Sequence, residues 1–463
     1  MPPPPYKLSS TPCITLGLER RGWRIEKIVV IIPTTPYNLS PTPLYMEVTI
    51  ERILPGGLGL AHAEGKTVMV SLAAPGDRLH VRIDREKGNV CFASIIEIIE
   101  PSPHRIEPPC PYFGRCGGCD FQQMTYQAQL DAKAEIIKDC LRRIAKIENA
   151  PEFQITPAPN EWHYRSRAQW QYDADQKRLG YYESGSRRVC DVAECAVLVP
   201  ELQLLLEDLR RQMADGELAH DAQYFRAIAG DDTALMAAGF SRATRRVDGG
   251  QTPRITPSPR QSSSDDEIDE ITRTIAGETY LLKAESFFQT NVELLPKLIE
   301  TAIGPEQGEA AIELYAGIGL FTVPLARNFR QVVAVEYDED AAELARRNLN
   351  NARLKNAEVE RSDVGNWLVS HEQNPGLKSL DFLLLDPPRT GAESRAIAGI
   401  VRLKPKRLCY VSCDPATLAR DLRKLIAGGY ALDSLSAFDM FPQTHHIETV
   451  AHLVSLDSGM DVS

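Results

Sequence analysis

After Tyr280 the chain alternates short apolar runs (Ala311 to Leu314, Gln331 to Val335, Phe382 to Leu385, Arg407 to Val411) with helical stretches such as Glu339 to Leu349 and Pro415 to Ile426. That alternation is the βαβ signature of a doubly wound α/β sheet. Such sheets bind ligands in the crevice beyond the carboxyl ends of their strands, so the residues that end each run are the ones to read for function.

The first run closes on a Gly-x-Gly turn, Gly317-Ile318-Gly319, ahead of the helical Phe321 to Arg327. Glycine lets backbone approach a ligand closely there. The three-glycine dinucleotide spacing is absent, which disfavours a nicotinamide cofactor. Glu336 ends the next run, where an acid can take both hydroxyls of a ribose. A ribose without a pyrophosphate describes S-adenosylmethionine. Asp386, in Leu385-Asp386-Pro387-Pro388-Arg389, ends the third run and projects into the same crevice. Cys413 ends the fourth, in Val411-Ser412-Cys413-Asp414-Pro415, next to a predicted helix N-terminus that favours a thiolate. Further on, Glu448 offers a carboxylate base, while the adjacent His445 and His446 read as structural or substrate-contacting side chains rather than metal ligands.

The rest of the chain is organised differently. Residues 1–45 hold nine prolines without periodicity and read as a disordered extension, or as the product of a mis-chosen upstream start. Residues 46–100 contain β-rich runs (Glu47 to Ile53, Thr67 to Ser71, Asp77 to Asp84, Val90 to Ile99) broken by Gly and Pro turns, the pattern of a small barrel. Residues 101–284 form a central region that opens with Cys110, Cys116 and Cys119 crowded together. In a reducing compartment such crowding indicates metal or cluster ligation before disulfides. A helix follows, with Leu130, Ala134, Ile137, Leu141 and Ile144 as its apolar stripe and Lys133, Lys138, Arg142 and Lys146 on a solvated basic face. Strands are expected from Trp162 to Val199, and residues 241–270, rich in Ser, Arg, Pro, Asp and Glu, read as a flexible insertion.

The formal net charge of −11 argues against coating nucleic acid by bulk electrostatics, so any RNA contact must be local. Arg165, Arg167, Arg187 and Arg188, interleaved with Trp162, Tyr164, Trp170, Tyr181 and Tyr182, are the candidates for phosphate pairing and base stacking. The longest aliphatic run, Ile28 to Ile32, is far short of the roughly 20 residues of a membrane helix, and no export signal is evident, so a cytoplasmic enzyme is expected.

Taken together, Ser286-Phe287-Phe288-Gln289-Thr290-Asn291, the Glu313 to Gly319 loop, Leu385 to Arg389, and Ser412-Cys413-Asp414-Pro415 with His446 to Thr449 resemble the RNA uracil-C5 methyltransferase family. The order is similar from Met46 to the C-terminus, and the nearest subgroup is the bacterial 23S ribosomal RNA enzymes. The resemblance implies a multidomain α/β protein. Its parts are an N-terminal OB-like TRAM β-barrel at 46–100, a central iron-sulfur α+β domain at 101–284, and a Rossmann-like class I methyltransferase domain at 285–463. It implies that Cys110, Cys116, Cys119 and Cys195 hold a 4Fe-4S cluster, although spacing alone fits zinc as well and Cys190 lies close by. It implies Gln289, Tyr315, Gly317, Glu336 and Asp386 around S-adenosylmethionine, with Asp363 a weaker candidate near the adenine. Leu320 departs from the polar residue that ribosomal members often carry.

The implied reaction follows from a chemical difficulty: uracil C5 is too weak a nucleophile to take a methyl group directly, so the ring needs covalent activation. In the family mechanism the Cys413 thiolate adds to C6, C5 attacks the sulfonium methyl, and Glu448 removes the C5 proton, with Asp386 orienting uracil or donor. Reaching the ring requires the base to leave its stack, which favours an unpaired uridine, in ribosomal RNA or alternatively in transfer RNA. A monomer is expected. Two rivals remain: a radical-type methylthiotransferase, whose Cys-x3-Cys-x2-Cys spacing is not met here, and a non-catalytic RNA-binding factor on the same fold, against which Cys413 and Glu448 speak.

Overall fold

Alternation decides the first part of the chain. In β1 (Tyr45–Thr49) Met46 and Val48 point inward and their neighbours outward, as a half-buried strand requires. With β2 (Arg52–Ile53), β3 (Gly59–Ala63), β4 (Lys66–Val70), β5 (Arg78–Lys87) and β6 (Val90–Glu100), it forms a sheet of order β1-β5-β6-β4-β3-β2. This sheet encloses Val68, Val70, Leu79, Val81 and Cys91. Three of the expected runs hold one strand each, whereas Glu47 to Ile53 is broken at Ile50-Glu51 into β1 and β2, which pair with β5 and β3 respectively. β3 is additional: its Gly-Leu-Ala-His-Ala sequence lacks the β-branched residues that mark a strand.

The computed structural model describes residues 44–240, 270–372 and 380–456. The expected extension at 1–45, but for its last two residues, and the expected insertion at 241–270, but for Glu270, lie outside the described residues. From Tyr45 onward the described chain packs as one unit. No helix among the described residues is long and apolar enough to cross a membrane.

The central region starts with α1 (Tyr126–Cys140), which runs into a single π turn, Leu141–Ala145. After the two-residue β7 (Ile155–Thr156) come β8 (Arg167–Asp173), β9 (Arg178–Tyr182), β10 (Val189–Asp191), α2 (Pro200–Asp215), β11 (Ala222–Ala229) and β12 (Ala234–Phe240), then the hairpin β13 (Ile271–Ile275) and β14 (Glu278–Leu282). The sheet β10-β9-β8-β11-β12 is antiparallel, and α2 buries Leu202, Leu205, Leu206 and Leu209 in the core that also holds Trp170 and Phe225. One expectation is corrected in α1. Lys133 is not on a solvated face but fully buried, 2.5 Å from Asp439, because its partner arrives from a loop 306 residues away. Lys138, Arg142 and Lys146 are exposed, as expected.

The third part is the doubly wound sheet. Its helices and strands are α3 (Leu295–Ile303), β15 (Gly308–Leu314), α4 (Thr322–Asn328), β16 (Phe329–Glu336), α5 (Glu339–Asn351), β17 (Ala357–Arg361), α6 (Val364–Ser370), β18 (Phe382–Leu385), α7 (Ser394–Leu403), β19 (Arg407–Ser412), α8 (Pro415–Ala427), β20 (Tyr430–Phe438) and β21 (Glu448–Ser455). The order is β17-β16-β15-β18-β19-β21-β20-β7, with the first five strands parallel and β21 antiparallel to both neighbours. β15 pairs with β16 on one side and β18 on the other, so the strand order reverses there and a crevice opens. Asp338, Asp363 and Asp414 cap α5, α6 and α8 by accepting from the N–H groups of Ala341, Asn366 and Thr417, which fixes where each strand-to-helix turn ends.

Candidate active site

The turn after β15 doubles back through positive φ angles at Tyr315 (64°), Gly317 (56°) and Gly319 (87°). Glu336, at the end of β16, is locked against this turn: its two carboxylate oxygens accept from Gly317 N and Asp338 N, each at 2.7 Å. Each oxygen keeps a lone pair for a ribose hydroxyl. Tyr315, Gly317, Glu336, Asp386 and Gln289 all line one cavity of about 1080 Å³, and Cys413, His446 and Glu448 line it too. Asp363 is not among the lining residues; it caps α6 and pairs with Arg395 at 3.0 Å. Leu320 is buried, and its carbonyl accepts from Tyr280 OH at 3.0 Å.

The electrostatics of this cavity are dominated by burial. It pushes the Asp386 carboxyl up to about 7, and it holds Glu448 well above the usual carboxylate range, with Asp386 adding to the effect and Arg389 opposing it. The Cys413 thiol is pushed up to about 12, first by burial and then by Glu448 and Asp386. This corrects the expectation of a thiolate favoured by the helix N-terminus. A helix dipole contributes roughly 0.3–1 kcal/mol, and it is overruled by desolvation and by carboxylates that arrive from β18 and β21. His446 is pushed down to about 3 by burial and by His445 beside it, so it is neutral. Glu448 Oε1 is buried with no hydrogen-bond partner, an orphan of the kind that marks a place where a ligand group belongs. Arg389 and Thr444 were not singled out in the sequence reading, although Arg389 completes the quoted Asp-Pro-Pro-Arg motif; both face this cavity.

A second, much smaller cavity of about 30 Å³ is lined by Cys110, Cys116, Cys119 and Cys195 together with Phe113, Tyr181 and Val197. Burial pushes the Cys116 thiol up to about 11 and the Cys119 thiol up to about 12. Cys190 is buried on β10, outside this lining, beside Arg115 Nε at 3.2 Å. Among the described residues, no three His, Cys, Asp or Glu side chains are placed to hold a single metal ion. Arg165 and Tyr181 form part of the wall of both cavities.

The basic and aromatic segment divides. Trp170 is a buried core residue rather than a stacking platform; Tyr164 is also buried, lines the main cavity and donates its OH to Pro442 O at 2.8 Å. Arg188 pairs with Glu183. Arg165, Arg167, Tyr181 and Tyr182 do line the main cavity, where Arg167 lies 5.6 Å from the ring of Phe287, itself 65% exposed.

Residues 263–455 match the family described as tRNA (Uracil-5-)-methyltransferase, and residues 46–104 match the TRAM domain of tRNA (uracil(54)-C(5))-methyltransferase. The 23S rRNA (uracil(1939)-C(5))-methyltransferase RlmD of Pseudomonas putida is 32% identical over 87% of this chain and 92% of its own. The chain belongs to the RNA uracil-C5 methyltransferase family. An uncharacterized RNA methyltransferase of Synechocystis is 31% identical over 92% of this chain and the whole of its own length. The crystal structure of Pyrococcus abyssi tRNA (uracil-54, C5)-methyltransferase in complex with S-adenosyl-L-homocysteine superposes with a TM-score of 0.67, at 26% identity over 88% of this chain and all of that one. This member of the family is thus an S-adenosylmethionine-dependent RNA (uracil-C5)-methyltransferase, with a TRAM domain at its N-terminal end and a Rossmann-like catalytic fold.

Proposed function

We propose that this enzyme methylates C5 of an unpaired uridine in 23S ribosomal RNA through a covalent bond between Cys413 and C6, acting as a cytoplasmic monomer. The observation that carries the reading is that Cys413, Glu448, Asp386 and the glycine turn share one cavity. The Cys413 thiolate bonds to C6, and the electron pair displaced from the C5–C6 double bond makes C5 the nucleophile. C5 takes the methyl group as the sulfonium carbon–sulfur bond breaks. Glu448 accepts the C5 proton, the double bond re-forms, and the Cys413 sulfur leaves. Burial holds the Cys413 thiol and the Glu448 carboxyl on the protonated side. A methyl-donor cation bound in this cavity would shift both Asp386 and Cys413, which line it, toward ionisation by Coulombic attraction.

Ribosomal RNA is preferred because several relatives covered over most of their length are named for 23S rRNA. The transfer RNA alternative rests on the named substrate of the Pyrococcus enzyme. Incubation with 5-fluorouridine-substituted 23S fragments and with transfer RNA tests both points, because fluorine cannot leave C5 as a proton and the adduct persists. An SDS-stable band on the ribosomal fragment that is lost in Cys413→Ala is expected; a band on transfer RNA alone reverses the substrate assignment, and no band on either refutes the covalent route.

We further propose that Cys110, Cys116, Cys119 and Cys195 hold a 4Fe-4S cluster. In support, the four thiols wall one cavity, and four thiolates suit such a centre. Held by these four thiols, a cluster would tie the Cys110–Cys119 segment to the loop that carries Cys195. About four irons per chain are expected after anaerobic purification.

A further inference from the structure

The loop 439–447 joins β20 to β21, carries His446 into the cavity and ends at Glu448, yet it is held from outside its own sheet. Lys133 Nζ donates to Asp439 Oδ1 at 2.5 Å and to Phe441 O at 3.1 Å. Gln129 and Gln443 exchange two hydrogen bonds, Gln129 Nε2 to Gln443 Oε1 at 3.0 Å and Gln443 N to Gln129 Oε1 at 2.9 Å. The N–H groups of Asp120 and Phe121 both donate to Gln443 O, at 3.1 and 3.0 Å. The Asp120 carboxylate accepts from His445 N at 2.9 Å and meets His445 Nδ1 at 2.5 Å.

Gln443 itself sits at φ 69°, in the left-handed region. A sparsely populated conformation of this kind is costly in a non-glycine residue, and it persists only where the surroundings over-determine it. Here the surroundings are α1 and the turn that follows Cys119. Strain at one residue, fixed by contacts from a different part of the chain and located five residues before the base, is a positioning arrangement. Neither Asp120 nor Gln129 lines the cavity.

We propose that Asp120 and Gln129 are positioning residues for proton removal: through Gln443 and His445 they hold the loop so that Glu448 stands at the C5 proton. The inference rests on the covalent reading above and assigns these two residues to one step within it. Addition of Cys413 to C6 depends on β19 and α8, to which Asp120 and Gln129 make no hydrogen bond although α1 packs against α8, whereas release depends on Glu448, which follows the loop they do bond. Misplacement by about 1 Å costs around 100-fold in rate, so the clamp variants release product slowly and accumulate the methylated adduct on ordinary uridine.

The test uses the full chain with its iron content matched to wild type. Asp120→Ala and Gln129→Leu are mixed with uridine RNA and labelled methyl donor in single turnover, and the labelled SDS-stable band is followed. Release about 10- to 100-fold slower than wild type, with the band accumulating, is expected. Asp120→Asn, which keeps an acceptor for His445 N, should restore most of the release rate. If Asp120→Ala does not fold, His445→Ala removes the same contact from the loop side and carries the same expectation. Release at the wild-type rate overturns the proposal, as does loss of adduct formation in parallel with release. Failure of the covalent reading is seen separately, as a wild-type enzyme that forms no band on 5-fluorouridine RNA.

Discussion

Glu313 lies on β15 beneath the glycine turn, 1% exposed, and accepts from Thr322 Oγ1 at the start of α4. Burial pushes its carboxyl up to about 8; the Thr322 hydrogen bond opposes this, while Asp386 and Glu336 reinforce it. The unfolded chain releases the same proton near the ordinary 4.5. Between those two values the native state binds the more protons, so this group's contribution to stability falls as pH rises; it is fully present below about pH 4.5 and lost by about pH 8. At pH 7 the native state bears about 3 kcal/mol against the unfolded chain, from about two and a half tenfold steps of about 1.4 kcal/mol each. Glu313→Gln keeps the shape and the acceptor for Thr322 and has no proton to lose. Relative to wild type, its thermal midpoint should therefore climb steadily from pH 5 to pH 8 and then level off. With an unfolding entropy of roughly 2.1 cal/mol/K per residue, a gain of about 3 kcal/mol on a chain of this length is about 3 °C at pH 7. Thermal unfolding of both proteins in half-unit pH steps measures the difference directly. Parallel curves would mean that Glu313 titrates normally in the fold and would refute the burial reasoning.

Two further outcomes follow from the same physics. Because Glu448 is held well above the usual carboxylate range, decay of the methylated adduct should accelerate about tenfold per pH unit below that raised value; a decay rate flat from pH 5 to 9 in single-turnover assays removes Glu448 as the base. Lys133→Met leaves Asp439 buried without its cation, a loss of about 3–5 kcal/mol, whereas Lys133→Met combined with Asp439→Leu should recover most of it. Melting curves decide this, and a double variant no more stable than the single one contradicts the ion pair's role.

What could be read from the chain was what is local. The ends of β15, β16, β18 and β19 were legible because a parallel strand is a short apolar run and the crevice lies just past it, so Gly317, Glu336, Asp386 and Cys413 fall together by topology alone. The protonation state of Cys413 was not legible, since it depends on carboxylates delivered by other strands. Lys133 was misread for a related reason: helical periodicity places it off the apolar stripe, and nothing nearby announces a carboxylate more than three hundred residues away. Trp170 was ambiguous because an aromatic side chain on a strand looks the same in sequence whether it faces a core or a nucleobase.

The two-residue strand β7 pairs with β20 and so closes the far edge of the catalytic sheet with residues drawn from the central region. The enzymatic part is therefore not a contiguous cassette. A fragment beginning near residue 285 would have a bare outer strand, and hybrids that exchange C-terminal halves between relatives would need to carry Ile155–Thr156 along with them. The central region thus supplies part of the backbone on which the catalytic sheet is completed, and the two cannot be cut apart without exposing β20.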